Sequence, residues 1–331
     1  MAAEPEQTEV RRKSGPVPLV LALVACLPGA YLGLAELFHL GHPELAPPLL
    51  GLVYGVAVIG AAFVLAWAAE AAQLDVSASL AIGVLALIAV LPEYAVGFVF
   101  AWKGGKDVAE YGSSCKAPDS TGASNCDLVL ANMTGANRLL IGIGWSMIVF
   151  IAYWQWRKRG ERHHRGVTMD RSKAVELAYL SIACAYSLTL PLKRTVTLID
   201  AAILVSIFIA YTLRISKAPQ TEPDLIGPAA WIGAMSKRAR RVSVLSMFAV
   251  AGIVILLVAE HFAESLVETG TELGVSEFLL VQWLAPLASE APELLVVALY
   301  AWRLKTSEAL TAVVSSKINQ WTLLVGTLPL V

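Results

Sequence analysis

Charge is scarce in this chain, and so is polar sequence of any length. Asp, Glu, Lys and Arg make up 15% of the 331 residues, against 57% apolar residues and a mean hydropathy of +0.65. A soluble globular domain carries about 25% charged residues, so that class is excluded. No polar stretch is long enough to build a folded domain of its own. No phosphate-cradling glycine loop, nucleophile elbow or nucleotide motif occurs, and nothing points to a nucleic-acid partner. Strict apolar–polar alternation is missing too, which rules out an outer-membrane barrel. Net charge is −1, so no bulk charge of either sign advertises a partner. Cysteine is limited to four residues. Cys26 and Cys184 lie in apolar runs and read as packing residues.

What the chain has instead is apolar runs of membrane-spanning length. Residues 1–48 form a polar tail with Arg11, Arg12 and Lys13 followed by a lead run from Val17 to about Phe38. A signal peptide is one reading of that start. The run is long for one and lacks a clear small-residue cleavage site, which favours a retained lead helix. Core segments follow at about 49–69, 76–101, 129–154, 174–192, 196–213, 242–262, 276–301 and 309–331. The expected fold class is therefore an all-α membrane protein with one extra N-terminal helix and about eight core helices.

With the N-terminus inside, loops 155–173 and 214–241 are cytoplasmic and carry thirteen Lys and Arg residues, from Arg157 to Arg241. The loops placed outside, 39–48, 103–128 and 263–275, hold only Lys103, Lys106 and Lys116, with Lys193 and Arg194 an exception in a short turn. That asymmetry follows the positive-inside rule and predicts a multi-pass protein of a plasma (inner) membrane with a cytoplasmic N-terminus. Cys115 and Cys126 share the outer loop, where an oxidising compartment permits a disulfide; two unpaired thiols are the alternative.

Two segments are nearly the same. Leu91-Pro92-Glu93-Tyr94-Ala95-Val96-Gly97-Phe98-Val99-Phe100-Ala101-Trp102-Lys103 aligns with Ala291-Pro292-Glu293-Leu294-Leu295-Val296-Val297-Ala298-Leu299-Tyr300-Ala301-Trp302-Arg303 at an offset of 200 residues, 93 to 293. They are the second and seventh core segments, five crossings apart, so they run through the membrane in opposite senses. Two inverted repeats are expected, 49–213 with its Pro-Glu helix at 76–101 and 242–331 with its Pro-Glu helix at 276–301, joined by the basic loop 214–241. Such repeats place a substrate site near the bilayer midplane where they meet. The second repeat has fewer segments than the first and reads as incomplete at Val331.

A carboxylate in mid-helix costs about 2.5 kcal/mol or more, so it needs a cavity, a partner or a bound cation. Glu93 meets that condition in one repeat, and Glu290 and Glu293, at i and i+3 on one face, meet it in the other. Each Pro-Glu proline frees the carbonyl four residues back, Ile88 and Ala288, and Pro286 frees Gln282. Carboxylates, free carbonyls and the Ser289 hydroxyl make the oxygen-rich surroundings that hard cations prefer.

The pattern resembles the calcium/cation antiporter superfamily, the sodium/calcium-exchanger-like membrane proteins, in which each repeat carries a Pro-Glu helix and then a helix with Gly-Asn-x-x-Gly-Ser-Asn. Ala131-Asn132-Met133-Thr134-Gly135-Ala136-Asn137 is similar to that second helix in repeat one, and Ala312-Val313-Val314-Ser315-Ser316-Lys317 in repeat two. The resemblance covers about 49–331 and implies an inverted-repeat transporter whose site holds a cation between Glu93, Glu293, Ser289 and Ser316, with Glu290 adding a charge. Asn132, Asn137, Gln320 and Lys317 are candidate site-lining residues. Repeat one has Ala89-Val90 where the family has hydroxyls, and Lys317 replaces an Asn. A buried ammonium needs a carboxylate partner, with Glu290 or Glu293 the candidates. Lys317 then either fills a cation position permanently or loses its proton when a cation binds; snorkelling to the interface is the third option.

The expected function is secondary antiport of a metal cation, Ca²⁺ by resemblance, for Na⁺ or H⁺, with no enzyme activity and no cofactor. Its partners are the lipid bilayer and the transported ions. The alternative is an exchanger-derived membrane scaffold or sensor that does not transport. Glu260, His261 and Glu264 have metal-ligand spacing on a helix, yet their place at a membrane interface favours a wet polar face over a zinc enzyme.

Overall fold

The computed structural model describes residues 15–41, 45–75, 91–118, 122–161, 166–193, 195–217, 225 and 227–331. The stretch 76–90, with Ile88, Ala89 and Val90, lies outside these, as do Arg11, Arg12, Lys13, His163, His164 and Arg194. The described residues form helices and contain no strand. In chain order the helices are α1 (Val17–Leu37), α2 (Pro47–Ala72), α3 (Leu91–Tyr111) and α4 (Asn125–Arg138). After α4 come a π-helical stretch (Leu139–Trp145), α5 (Ser146–Lys158), α6 (Ala174–Ser187), the short α7 (Thr189–Lys193) and α8 (Leu198–Ile215). The chain continues with α9 (Pro228–Gly233), α10 (Lys237–Leu273), α11 (Glu277–Trp302), α12 (Thr306–Asn319), a second π-helical stretch (Gln320–Leu324) and α13 (Val325–Thr327). Seven helical spans are long and apolar enough to cross a bilayer, counting α4, its π stretch and α5 as one and α6 with α7 as another. Their outward faces carry large apolar side chains in the open, such as Phe150, Ile199 and Leu256, as lipid contact requires.

Helix ends follow local chemistry. Pro47 and Pro48 start α2, where a missing N–H costs nothing. Ser124 and Asp127 cap α4 reciprocally, and Thr197 and Asp200 do the same for α8. The sixth core segment is longer than its apolar stretch of 242–262. No proline interrupts it, Gly252 and Gly270 stay helical, and Gly274, with a left-handed φ of 64°, ends α10. At 37 residues, α10 is about 55 Å long and overshoots the hydrocarbon core at both ends.

Small residues let the helices close up. A Cβ at Gly33 would meet the Leu257 carbonyl at 2.8 Å, which sets how tightly the lead helix α1 lies on α10. More important for the site, a Cβ at Gly135 would lie 1.9 Å from the Gln282 carbonyl oxygen. Gln282 is four residues before Pro286, so its carbonyl lacks a helical N–H partner from that proline and is free to sit against α4. The Gln282 amide then donates to Thr134 Oγ at 3.1 Å. This crossing locks the second helix of one half onto the Pro-Glu helix of the other.

Cys115 and Cys126 are joined by a disulfide, tying the turn after α3 to the first turn of α4. Glu277 at the start of α11 accepts from Ala123 N at 3.0 Å, so the cross-linked loop is anchored to the second half. On the opposite flank of the bundle, Arg240 of α10 grips Asp75, after α2, through Nε at 2.6 Å and an N–H of the same guanidinium at 3.0 Å. These bonds hold the Asp75 carboxyl below its ordinary value of 3.8.

Candidate functional site

Five elements bring polar side chains to one buried place between the two Pro-Glu helices. The first described turn of α3 supplies Glu93, the middle of α11 supplies Ser289, Glu290 and Glu293, the end of α12 supplies Lys317, and the π stretch after α12 supplies Gln320. The facing helix α4 contributes Asn132 and Asn137. Lys317 is 0% exposed, Gln320 1%, Glu93 2% and Glu290 3%. Snorkelling of Lys317 to the interface is thereby excluded.

Gln320 is the hub. Its Nε2 donates to Glu93 Oε2 at 3.2 Å and to Glu290 Oε1, while its Oε1 accepts from Lys317 Nζ at 2.6 Å. Lys317 Nζ also donates to Asn137 Oδ1, and Asn137 Nδ2 donates to the Met133 carbonyl at 3.2 Å. The donor and acceptor sides of both amides are dictated here, because an ammonium has only protons to offer. By sharing Gln320 Nε2, the Glu93 and Glu290 carboxyl groups are brought side by side. Beyond that contact, Glu93 Oε1, Glu290 Oε2 and Glu293 Oε2 are buried without a donor, and Asn132 Nδ2 is buried without an acceptor.

The geometry differs in detail from two expectations. Glu93 meets Glu290 rather than Glu293, which stands one helical turn further along α11 and is half-buried beside Glu290. Among the described residues Lys317 Nζ bonds two amide oxygens and no carboxylate. Gln320 sits three residues beyond it on the same helical face and inserts its amide between the ammonium and the two acids. The remaining candidates stand apart from the hub. Ser289 Oγ donates to carbonyls of its own helix, Ala285 and Pro286, at 3.3 Å each. Ser316 is half-buried, and among the described residues no hydrogen bond joins it to the cluster.

Among the described residues no three His, Cys, Asp or Glu side chains converge as a closed metal cage. The carboxylates form a pair with a third acid one turn away, and further oxygens come from amides, Ser289 and the loosened α11 backbone. That set suits a hard cation that enters and leaves better than a permanently caged metal. Glu260, His261 and Glu264 are divided between other partners. His261 Nδ1 pairs with Glu36 of the lead helix at 2.7 Å, and Lys103 pairs with Glu264 at 2.5 Å and Glu260 at 3.6 Å.

The π-helical stretches after α4 and α12 are features that sequence reading missed. They start at Leu139 and Gln320, two residues after Asn137 and three after Lys317, the corresponding positions of the two repeats. An extra residue per turn re-aims side chains, and such turns gather at functional sites. The one visible signal was Asn319-Gln320 standing inside an apolar run.

The sodium/calcium exchanger protein family matches residues 46–217 and 243–331. The structure described as "Crystal Structure of H+/Ca2+ Exchanger CAX" is 39% identical, with 94% of this chain and 72% of that one aligned at a TM-score of 0.79. "Structure of native YfkE", 17% identical, shares the fold over 92% of this chain and 80% of that one at a TM-score of 0.60. No curated protein sequence matches. An all-helical multi-pass membrane chain, two Pro-Glu helices meeting at buried acids and a match over most of the length agree: this chain belongs to the sodium/calcium exchanger protein family, whose members are cation transporters and not enzymes.

Proposed function

We propose that this exchanger moves Ca²⁺ against H⁺ by alternating access to the cluster of Glu93, Glu290 and Glu293. One observation carries the reading: acids from both Pro-Glu helices are buried together and keep oxygens without a donor. A Ca²⁺ ion takes six to eight oxygens at about 2.3–2.6 Å. The Glu93–Glu290 pair, Glu293, the Ser289 hydroxyl and the Ala288 carbonyl freed by Pro292 supply them, with Ser316 and Asn132 reachable on rearrangement. The same carboxylate oxygens bind a proton when the metal leaves. Metal and protons therefore compete for one set of atoms, and that competition enforces exchange rather than leak.

H⁺ is favoured over Na⁺ as coupling ion by the likeness to the H⁺/Ca²⁺ exchanger at 39% identity. The repeats that rock around the cluster are 49–213 and 242–331. The basic loops 155–173 and 214–241 support a cytoplasmic N-terminus in a plasma (inner) membrane.

Flux into proteoliposomes tests the reading. Wild-type protein is expected to take up radiolabelled Ca²⁺ when a pH gradient is imposed, and Glu93→Gln and Glu290→Gln are expected to abolish uptake while staying monodisperse. Unaltered uptake in either variant would sink it. A scaffold that does not transport is the second reading, favoured by the Lys317 side chain already filling the cluster; wild-type Ca²⁺ binding without flux would support it.

A further inference from the structure

We propose that Lys317 determines the ion specificity of this site: its side chain is a tethered monovalent cation that stands where a mobile one would bind, so the cluster takes one divalent ion and turns Na⁺ away. The inference rests on the exchanger reading above and adds the residue that restricts it.

The argument begins with burial. Lys317 is 0% exposed and reaches no water or interface through its own stem. A buried ammonium persists only when oxygens replace its hydration. Lys317 Nζ has two, Asn137 Oδ1 and Gln320 Oε1. Amide oxygens of this kind are also what a small hard cation coordinates once it sheds water. The lysine nitrogen thus occupies an oxygen-lined position that belongs to the same network as the acids, since Gln320 Nε2 touches both Glu93 and Glu290.

The second step is orientation. Because Lys317 only donates, Gln320 must turn its oxygen toward the lysine and its N–H groups toward the carboxylates. Without the ammonium that constraint goes, and the amide oxygen can turn to join the acids around a small cation. The third step is charge. Three carboxylates and one ammonium, all ionised, leave two negative charges, which a single divalent ion cancels. A monovalent ion beside the ammonium is repelled and leaves the acids uncompensated. The corresponding position of the first repeat is Asn137, a neutral side chain, and the two equivalents hydrogen-bond each other where the repeats meet.

Na⁺ competition tests this at constant pH, using purified protein in detergent for Ca²⁺ binding and in proteoliposomes for uptake. In wild type, Na⁺ well above the Ca²⁺ concentration is expected to leave apparent Ca²⁺ affinity unchanged. Lys317→Gln is expected to lower the Na⁺ concentration that halves Ca²⁺ binding by about ten-fold or more, a shift of about 1.4 kcal/mol. Lys317→Arg keeps the charge and is expected to keep Na⁺ exclusion. Should Lys317→Gln unfold, Lys317→Met removes the charge while keeping an apolar stem of similar length, and is expected to show the same gain in Na⁺ competition. Strong Na⁺ competition in wild type overturns the proposal. So does a Lys317→Gln or Lys317→Met protein with the wild-type response to Na⁺. Failure of wild type to bind or transport Ca²⁺ at all points elsewhere, to the exchanger reading itself.

Discussion

The two halves use equivalent positions for opposite purposes. In the first, α4 offers the neutral amides Asn132 and Asn137, and the π stretch after it opens with the apolar Leu139 and Leu140. In the second, α11 offers two acids, α12 a lysine, and the π stretch opens with Gln320. Glu93 is the sole acid that the described part of repeat one sends to the cluster. Charge is concentrated in one half and hydrogen-bonding counterparts in the other. An inverted repeat thus need not build a symmetric site.

The sharpest way to break that comparison is to exchange charge for amide on each side. Glu290→Gln and Glu93→Gln should each reduce Ca²⁺ uptake at least about 30-fold, since losing one member of a buried charged cluster costs about 2–5 kcal/mol. Asn137→Leu should also impair function by stranding Lys317, but by less, because Gln320 still accepts one of its protons. Equal losses at Glu290 and Asn137 would erase the distinction drawn between the halves.

Packing gives the next contrast. Gly135 has no room for a side chain against Gln282, whereas the corresponding Ser315 has one, and its hydroxyl accepts from Tyr211 at 2.9 Å. Gly135→Ala should destabilise by about 1–3 kcal/mol through overpacking, read as a lower midpoint of thermal unfolding in detergent. Ser315→Ala should cost only about 1 kcal/mol, one lost hydrogen bond.

The cross-linked loop separates the halves again, because only the first contains one. Cys115→Ser opens a short loop and should cost about 2–3 kcal/mol, with reducing agent producing the same fall in wild type and no further fall in the variant. The smallest effect is expected at the opposite flank. Asp75 has its carboxyl lowered by Arg240, so its contribution is present above its unfolded value near 3.8 and is lost as pH falls through the lower folded one. Asp75→Asn should flatten the decline in stability below about pH 4 while leaving stability at higher pH lower than wild type throughout.

Much of this architecture is written along single helices. Apolar run lengths set the spans, and the paired Pro-Glu motifs expose the repeat. Glu290 and Glu293 can be placed on one face from their spacing alone. The partnership of Glu93 with Glu290, the Gln320 hub and the two π stretches could not be read that way. Each depends on how far one helix turns against another, and residues four turns apart on different helices carry no mutual signal in the chain.

Composition, run length and the repeated Pro-Glu motif by themselves determined a multi-pass helical membrane protein with acids inside two opposed helices, and the motifs' resemblance to a known family implied an exchanger. Tertiary structure alone decided which acid faces which, because Gly135 lets α4 press against the proline-freed carbonyl of Gln282 and that contact sets the rotation of α11. It also decided that Lys317 faces amides instead of acids, since only the packed bundle puts Asn137 and Gln320 on either side of its nitrogen. Local spacing fixes the faces of a helix; close approach between helices chooses which faces meet.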